Sequence, residues 1–354
     1  NEKNARRKIA IVGAGPAGLS CAYFLARLGY MPKVFESEPR PGGMMVQTIP
    51  AYRLPREILA REIRMIERMG VDLETGKKLG SDFTLKSLRD EGYEAVFLAV
   101  GAPHGMKLGI PGEDSDGVTE AIRFLRQYNI RGSVPVGSKV VVVGGGNAAV
   151  DAARTALRLG AESVTIVYRR TREEMPAYTE EIEEAEHEGV KLQLLTAPVE
   201  ILSRSDKVVG IKCRQMTLGE FDRSGRRRPE AKTENDFVIE ADQVIAAIGQ
   251  SVDSRKLLEG VEVGVKKNNY LEANPVNGQT SVPWLFAGGD AVTGPSSVIE
   301  AVAAGEKAAI GIDELLTGKK HAFWREEKVL NTAFDPDADP EPYKCEKQPL
   351  IAVE

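Results

Sequence analysis

Lys8-Ile9-Ala10-Ile11-Val12-Gly13-Ala14-Gly15-Pro16-Ala17-Gly18 is the stretch on which the fold turns. Ile9 to Val12 are apolar without alternation, the pattern of a strand buried on both faces of a parallel sheet. A Gly-x-Gly-x-x-Gly turn follows at once, and Ala17 to Leu28 has the small and apolar periodicity of a helix packed on that strand. Pro32 to Glu36 reads as the next strand. It ends in Glu36, 23 residues after Gly13, near the roughly 20-residue spacing at which a carboxylate meets an adenosine ribose. Strand, glycine turn, helix and acidic strand end together make a dinucleotide fold, where a glycine triplet alone would not.

The same grammar returns later. Lys139-Val140-Val141-Val142-Val143 precedes Gly144-Gly145-Gly146-Asn147-Ala148-Ala149, a helix is expected over Ala148 to Leu159, and Ser163 to Tyr168 is the second strand. The ribose carboxylate is missing here. Tyr168-Arg169-Arg170-Thr171-Arg172 stands in its place, and guanidinium groups at that point suit a 2′-phosphate, so the reading is NADP rather than NAD. One chain therefore holds two dinucleotides.

Between the fingerprints, Pro41-Gly42-Gly43-Met44-Met45 and Ile49-Pro50-Ala51-Tyr52-Arg53-Leu54-Pro55 form a stretch too rich in Pro and Gly for regular structure and suited to close backbone approach to a cofactor. Arg56 to Met69 is an amphipathic helix, and Tyr93 to Val100 is a buried strand ending at Gly101. From Val190 to Glu240 the pattern becomes short β-runs, with Leu218 to Lys232 as a polar hairpin tip carrying Arg223, Arg226, Arg227 and Arg228. Ala241 to Gly249 is another buried strand. Val282 to Asp290 leads through Gly294-Pro295-Ser296-Ser297 to a helix over Val298 to Leu316, with Ser296 or Ser297 as its N-cap. Lys319 to Glu354 reads as an extended, acidic, Pro-rich tail.

The 354 residues suffice for two to three domains, and 42% hydrophobic with 28% charged residues is an ordinary globular composition. A net charge of −5 gives no reason to expect nucleic acid or an anionic membrane as partner. The apolar runs fall short of the roughly 20 residues of a membrane span. Cys21, Cys213 and Cys345 are too scattered for a redox pair, a disulfide framework or a cluster-ligand run. His104, His187 and His321 read as surface residues. Position 1 is Asn without a signal-peptide core behind it, so the sequence is expected to begin inside a longer polypeptide.

The two nested fingerprints, Gly42-Gly43 with Ile49-Pro50 and Arg53-Leu54-Pro55, Gly144 to Asp151, Tyr168-Arg169-Arg170 with Glu174-Met175-Pro176-Ala177, and Ala287-Gly288-Gly289-Asp290 together resemble the two-dinucleotide-binding-domain flavoproteins. More narrowly they resemble the NADPH-dependent glutamate synthase small subunits, with related modules in dihydropyrimidine dehydrogenase and in NADH-dependent ferredoxin:NADP oxidoreductase. The resemblance covers roughly residues 8 to 318 and implies an α/β fold of two nested Rossmann-like domains without the redox disulfide. Residues 8–136 and 250–318 would form the FAD-binding domain, 137–249 the NADP-binding domain, and 319–354 a tail or linker.

It implies FAD on Gly13, Gly15, Pro16, Ala17, Gly18 and Glu36, with Gly43 and Arg53 from the loop. Gly289 and Asp290 would hold the ribityl or phosphate part, and the helix opening at Ser297 and Val298 would face the pyrimidine edge. NADP would lie on Gly144, Gly146, Asn147, Ala148, Arg169, Arg170 and Gly249. Relatives place a cysteine-rich iron–sulfur region beside this module, in several after a Pro-rich segment like Phe334 to Tyr343. The chain has no cluster ligands, so the clusters are expected on a partner or flanking segment of a larger cytoplasmic complex.

Hydride transfer between nicotinamide and flavin requires two rings held in register and no protein nucleophile, triad or metal. The leading expectation is an FAD-dependent NADPH oxidoreductase that exchanges electrons with an iron–sulfur partner, as in glutamate synthase. The flavin module of an electron-bifurcating or transhydrogenase complex is the alternative. A non-catalytic nucleotide-binding assembly subunit is the reading from another class.

Overall fold

The computed structural model describes residues 2–221, 226–266 and 269–325. Ile9–Val12, 0 to 4% exposed, is the middle of a five-stranded parallel sheet in the spatial order Leu285–Ala287, Ala95–Leu98, Ile9–Val12, Lys33–Glu36, Asp72–Thr75. Helices Pro16–Arg27 and Val298–Thr317 cover this sheet and pack on each other so closely that a Cβ on Gly305 would lie 2.1 Å from the Ala17 carbonyl oxygen. Two apolar clusters, one around Ile9, Leu25, Phe97 and Phe286 and one around Ala10, Val12, Val96 and Leu285, form its core.

A second parallel sheet repeats the plan with the order Val118–Glu120, Gln243–Ala246, Lys139–Val143, Ser163–Val167, Lys191–Gln193. It is inserted between Ala95–Leu98 and Leu285–Ala287 of the first. Where the chain passes out of the first unit and returns to it, His104–Gly105 and Gln250–Ser251 pair antiparallel, so both crossings run side by side.

The expected boundary between 136 and 137 moves earlier. Val118–Glu120 is hydrogen-bonded into the second sheet, and Ala121, Phe124 and Leu125 of helix Ala121–Arg131 are buried in the second core against Val140 and Ile166. Amphipathicity announces such a helix without saying which core its apolar face enters.

The expected hairpin tip also shrinks. Lys207–Phe221 and Arg227–Glu240 are antiparallel partners in a three-stranded sheet with Thr196–Arg204, so much of Leu218 to Lys232 is paired strand. Backbone pairing continues past the last buried side chains, where no apolar alternation marks it. Arg223 lies outside the described residues. The Pro- and Gly-rich stretch contains one helical turn, Met44–Gln47.

Beyond Gly318, a short 3-10 turn at Phe323–Arg325 rests on the first unit. Trp324 packs 4.9 Å from the Phe24 ring and donates to Glu306 at 2.7 Å. Residues 326–354, with Cys345 and the Phe334 to Tyr343 segment, lie outside the described residues. No described helix is long and apolar enough to cross a membrane.

Candidate dinucleotide sites

Both glycine turns leave their strand in the same way. Gly13 N–H donates to the Phe35 carbonyl at 2.7 Å and Gly144 N–H to the Val167 carbonyl at 3.0 Å, the same step across from central to neighbouring strand. Gly13 has φ +105° and Gly144 φ +147°. A Cβ would lie 2.4 Å from the Ala99 carbonyl oxygen at Gly13 and 2.2 Å from that of Ala247 at Gly144. Backbone stands on the far side of each turn, and only glycine fits.

Gly15 and Gly146 are the N-caps of Pro16–Arg27 and Asn147–Arg158. Neither helix has a side-chain cap or an acidic residue in its first turn. The first N–H groups of a helix have no intrahelical acceptor, and the macrodipole makes that end attractive to anions. Pro16 at the first helical position removes one such N–H and presets φ. Gly18 lets the helix close onto the turn, for a Cβ there would sit 1.9 Å from the Gly13 carbonyl oxygen.

Three further segments meet the first turn at the carboxyl edge of the sheet. Glu36 is 4% exposed, and its carboxylate accepts from Ala14 N–H at 2.7 Å and Glu38 N–H at 2.9 Å. It braces the turn, and a carboxylate's remaining lone pairs leave room for a diol. Gly43, at φ +53°, approaches so near that its Cβ would lie 2.8 Å from the Gly15 Cα. From the far end of the chain, Gly289 comes within 3.0 Å, by its absent Cβ, of the Ala17 side chain. Asp290 follows, half-buried, with Ser296 Oγ donating to it at 3.3 Å. Burial pushes its carboxyl up to about 6, against the pull of Ser296. Ser297 caps Val298–Thr317 through a reciprocal pair with Glu300, so that helix start is partly satisfied by its own residues.

At the second turn, Tyr168 lies beneath Gly145, where a Cβ would be 2.6 Å from its ring, and its hydroxyl donates to the Glu174 carbonyl at 2.7 Å. Arg169 is exposed. Arg170 is only 3% exposed, and its Nε donates to the Arg227 carbonyl at 2.7 Å. The two arginines expected at the phosphate lie in the bend beyond Val167 and face different surroundings, one solvent and the other the hairpin backbone. Arg227 N–H also donates to Glu174 at 2.9 Å, which pins the long hairpin onto the 170–174 loop. Asn147 accepts from Tyr178 N–H at 3.1 Å, Ala148 is half-buried beside it, and Gly249 at φ +143° faces the Met106 sulfur.

Arg53, expected in the FAD loop, makes its side-chain contacts across the units. It stands in the loop beside the first turn, yet its guanidinium crosses to the second unit and contacts Asp151 at 2.8 and 2.9 Å and Glu181 at 2.8 Å. Asp151 had no assigned role. A charged residue on an Ala-rich helix face that periodicity marks as buried was the available signal. Burial pushes the Asp151 carboxyl up to about 6 while the Arg53 guanidinium pulls it down.

Cys21 and Cys213 are free and buried in separate cores, so no redox pair exists between them. Residues 7–305 match the family described as pyridine nucleotide-disulphide oxidoreductase. The chain is 45% identical over 313 residues to the NADP(+)-dependent formate dehydrogenase subunit beta of Moorella thermoacetica, covering 88% of this chain and 44% of that protein. It is 38% identical over 325 residues to the glutamate synthase [NADPH] small chain of Escherichia coli (strain K12), covering 88% and 69%. Among solved structures, Mycobacterium tuberculosis FprA in complex with NADPH superposes with a TM-score of 0.77 at 20% identity, over 88% of this chain and 85% of that one. This chain therefore spans less than half the length of the first relative, and the FprA likeness is one of fold.

Proposed function

The chain belongs to the pyridine nucleotide-disulphide oxidoreductase family, and from that we propose that it is the flavin module of an NADPH oxidoreductase. The first unit holds FAD, the second binds NADP(H), and electrons pass to or from iron–sulfur clusters of a partner subunit or domain. One observation carries the reading: two uncapped helix starts, each behind a glycine turn that no side chain could enter, stand at the carboxyl edges of two nested parallel sheets.

The residues fit the groups. Gly13, Gly15, Pro16, Ala17 and Gly18 admit the FAD pyrophosphate, Glu36 offers lone pairs to the ribose, and Gly43, Gly289, Asp290 and the Ser297–Val298 helix start surround the rest. Gly144, Gly146, Asn147, Ala148 and Gly249 receive the nicotinamide dinucleotide, with exposed Arg169 as the cation for a 2′-phosphate. Arg170 supports that strand end from inside. Bound flavin supplies the conversion between a two-electron hydride and single electrons. The protein contributes position, a fixed field at the helix starts and a shielded approach.

The names of the relatives support a module shared among complexes, since one is a formate dehydrogenase subunit and the other a glutamate synthase chain. We place the complex in the cytoplasm, with its NADP(H) pool. Anaerobic NADPH added to the FAD-loaded protein should bleach the flavin absorbance; flavin left oxidised by excess NADPH refutes the reading.

A further inference from the structure

One loop of the first unit touches the first glycine turn at one end and the helix that follows the second at the other. Near its start, Gly42 N–H donates to the Ala14 carbonyl at 2.8 Å and Gly43 lies against Gly15. Further along, Tyr52 and Arg53 leave their own unit and grip the helix that begins after Gly146. Arg53 Nη1 donates to both oxygens of Asp151 and Arg53 Nε pairs with Glu181. The Tyr52 ring lies 4.8 Å from the Arg154 guanidinium and 3.9 Å from that of Arg158. Glu181 and Glu188 also hold those two arginines, at 2.6 Å. The Tyr52 hydroxyl is buried there without a hydrogen-bond partner. Behind them, Arg56 braces the loop by donating to the Met45 and Ile49 carbonyls and to Asn129 of the second unit.

Stability is a poor reason for this arrangement. Asp151 is 4% exposed on a helix otherwise rich in alanine, and an ion pair in such a place gains little over an apolar contact once desolvation is counted. What a guanidinium fork and a flanked ring do give is direction, because both fix angle as well as distance.

We propose that Tyr52 and Arg53, anchored on Asp151, are positioning residues that set the spacing and tilt of the nicotinamide-binding unit against the flavin-binding unit. The proposal rests on the NADP(H)–FAD reading above. It gives the loop a function as a ruler: one end is fixed to the first cofactor turn, the other to the helix that opens the second. Hydride transfer is the step that feels such a ruler, since a misplacement of about 1 Å costs about 100-fold.

The test uses the full chain loaded with FAD and the variants Arg53→Gln, Asp151→Asn and the double. Flavin content and NADPH affinity should stay near wild type, while the single-turnover rate of flavin reduction by NADPH falls about 10- to 100-fold. The double variant should be no slower than the worse single, because the Arg53–Asp151 contact that Asp151→Asn weakens is already lost in Arg53→Gln. In the cofactor-free protein, amide hydrogen exchange should quicken over 50–56 and 147–158 and stay unchanged in Ile9–Val12 and Lys139–Val143, a readout independent of turnover.

An unchanged reduction rate, rate losses that multiply in the double, or loss of FAD from Arg53→Gln with unaltered exchange would each overturn the proposal. Wild-type flavin that NADPH cannot reduce would instead sink the functional reading, and the exchange result would then stand apart from it. If Arg53→Gln does not fold, Tyr52→Leu, which strands no carboxylate, carries the same expectations and the same refutations.

Discussion

Arg169 and Arg170 are adjacent, chemically identical and, in this structure, in opposite environments. Arg169 is exposed at the end of Ser163–Val167, whereas Arg170 is 3% exposed and holds the Arg227 carbonyl. On the proposed function, replacing Arg169 by Ala removes a cation for the 2′-phosphate. Hydrogen bonds to charged groups contribute about 1.5–3 kcal/mol, or roughly 10- to 150-fold in NADPH affinity, and exposure argues for the lower end. NADH, lacking that phosphate, should be little affected.

Replacing Arg170 by Met should act differently. It buries an apolar chain where the guanidinium lay and removes the donor from the part-buried Arg227 carbonyl, at about 1 kcal/mol of stability, or a fall of a few degrees in Tm. The ratio of kcat/KM for NADPH to that for NADH should not move. Both ratios are measured with an artificial one-electron acceptor at a fixed, low salt concentration, beside a thermal melt of each variant. A fall in the ratio for Arg170→Met as large as that for Arg169→Ala would refute the division of roles. Equal losses for NADPH and NADH in Arg169→Ala would refute the phosphate contact itself.

The glycine turns make separable predictions. Gly144→Ala puts a side chain at φ +147° and 2.2 Å from the Ala247 oxygen; strain of about 1–3 kcal/mol should raise the NADPH Kd by about 5- to 150-fold with flavin content intact, as titration would reveal. Gly18→Ala, only 1.9 Å from the Gly13 oxygen, should instead lose FAD on gel filtration while the second unit still binds NADP. Gly305→Leu drives apart the helices that join the two ends of the first unit, and overpacking of about 1–3 kcal/mol should lower Tm and flavin retention together.

Asp290 supplies the pH dependence. Its folded value of about 6 lies above the ordinary 3.8, so the cofactor-free folded state holds more protons between those values, and stability from this group falls as pH rises through that window and is level above it. Tm measured from pH 4 to 7 should lose this component in Asp290→Asn; a parallel pair of curves would exclude the carboxyl as its source.

The two fingerprints were legible because their physics is local. Ile9 to Val12 and Val140 to Val143 read as fully buried strands from four consecutive apolar residues, and the turns behind them read as glycine-only from spacing. The N-cap at Ser297, the strand-ending Glu36 and the helix Val298–Thr317 were equally local. The long hairpin was less so: its pairing over Leu218 to Phe221, where no side chain is buried, leaves no alternation to read. The early start of the second unit depended on which core helix Ala121–Arg131 would enter.

Sequence by itself determined that two dinucleotide folds are present and that their ribose ends differ, because each of these is written within about 30 contiguous residues of a strand, turn and helix unit, whereas their nesting, implied by the resemblance, depends on Leu285–Ala287 returning to pair with Ala95–Leu98. Only the tertiary structure decided where charged side chains go once the units meet. Arg170 turned inward, Arg53 crossed to Asp151, and Tyr52 laid its ring against two arginines, all through contacts between residues distant in the chain. A guanidinium has the same composition and spacing whether it meets a phosphate or a carboxylate, and its partner is set by which buried charge lies within reach.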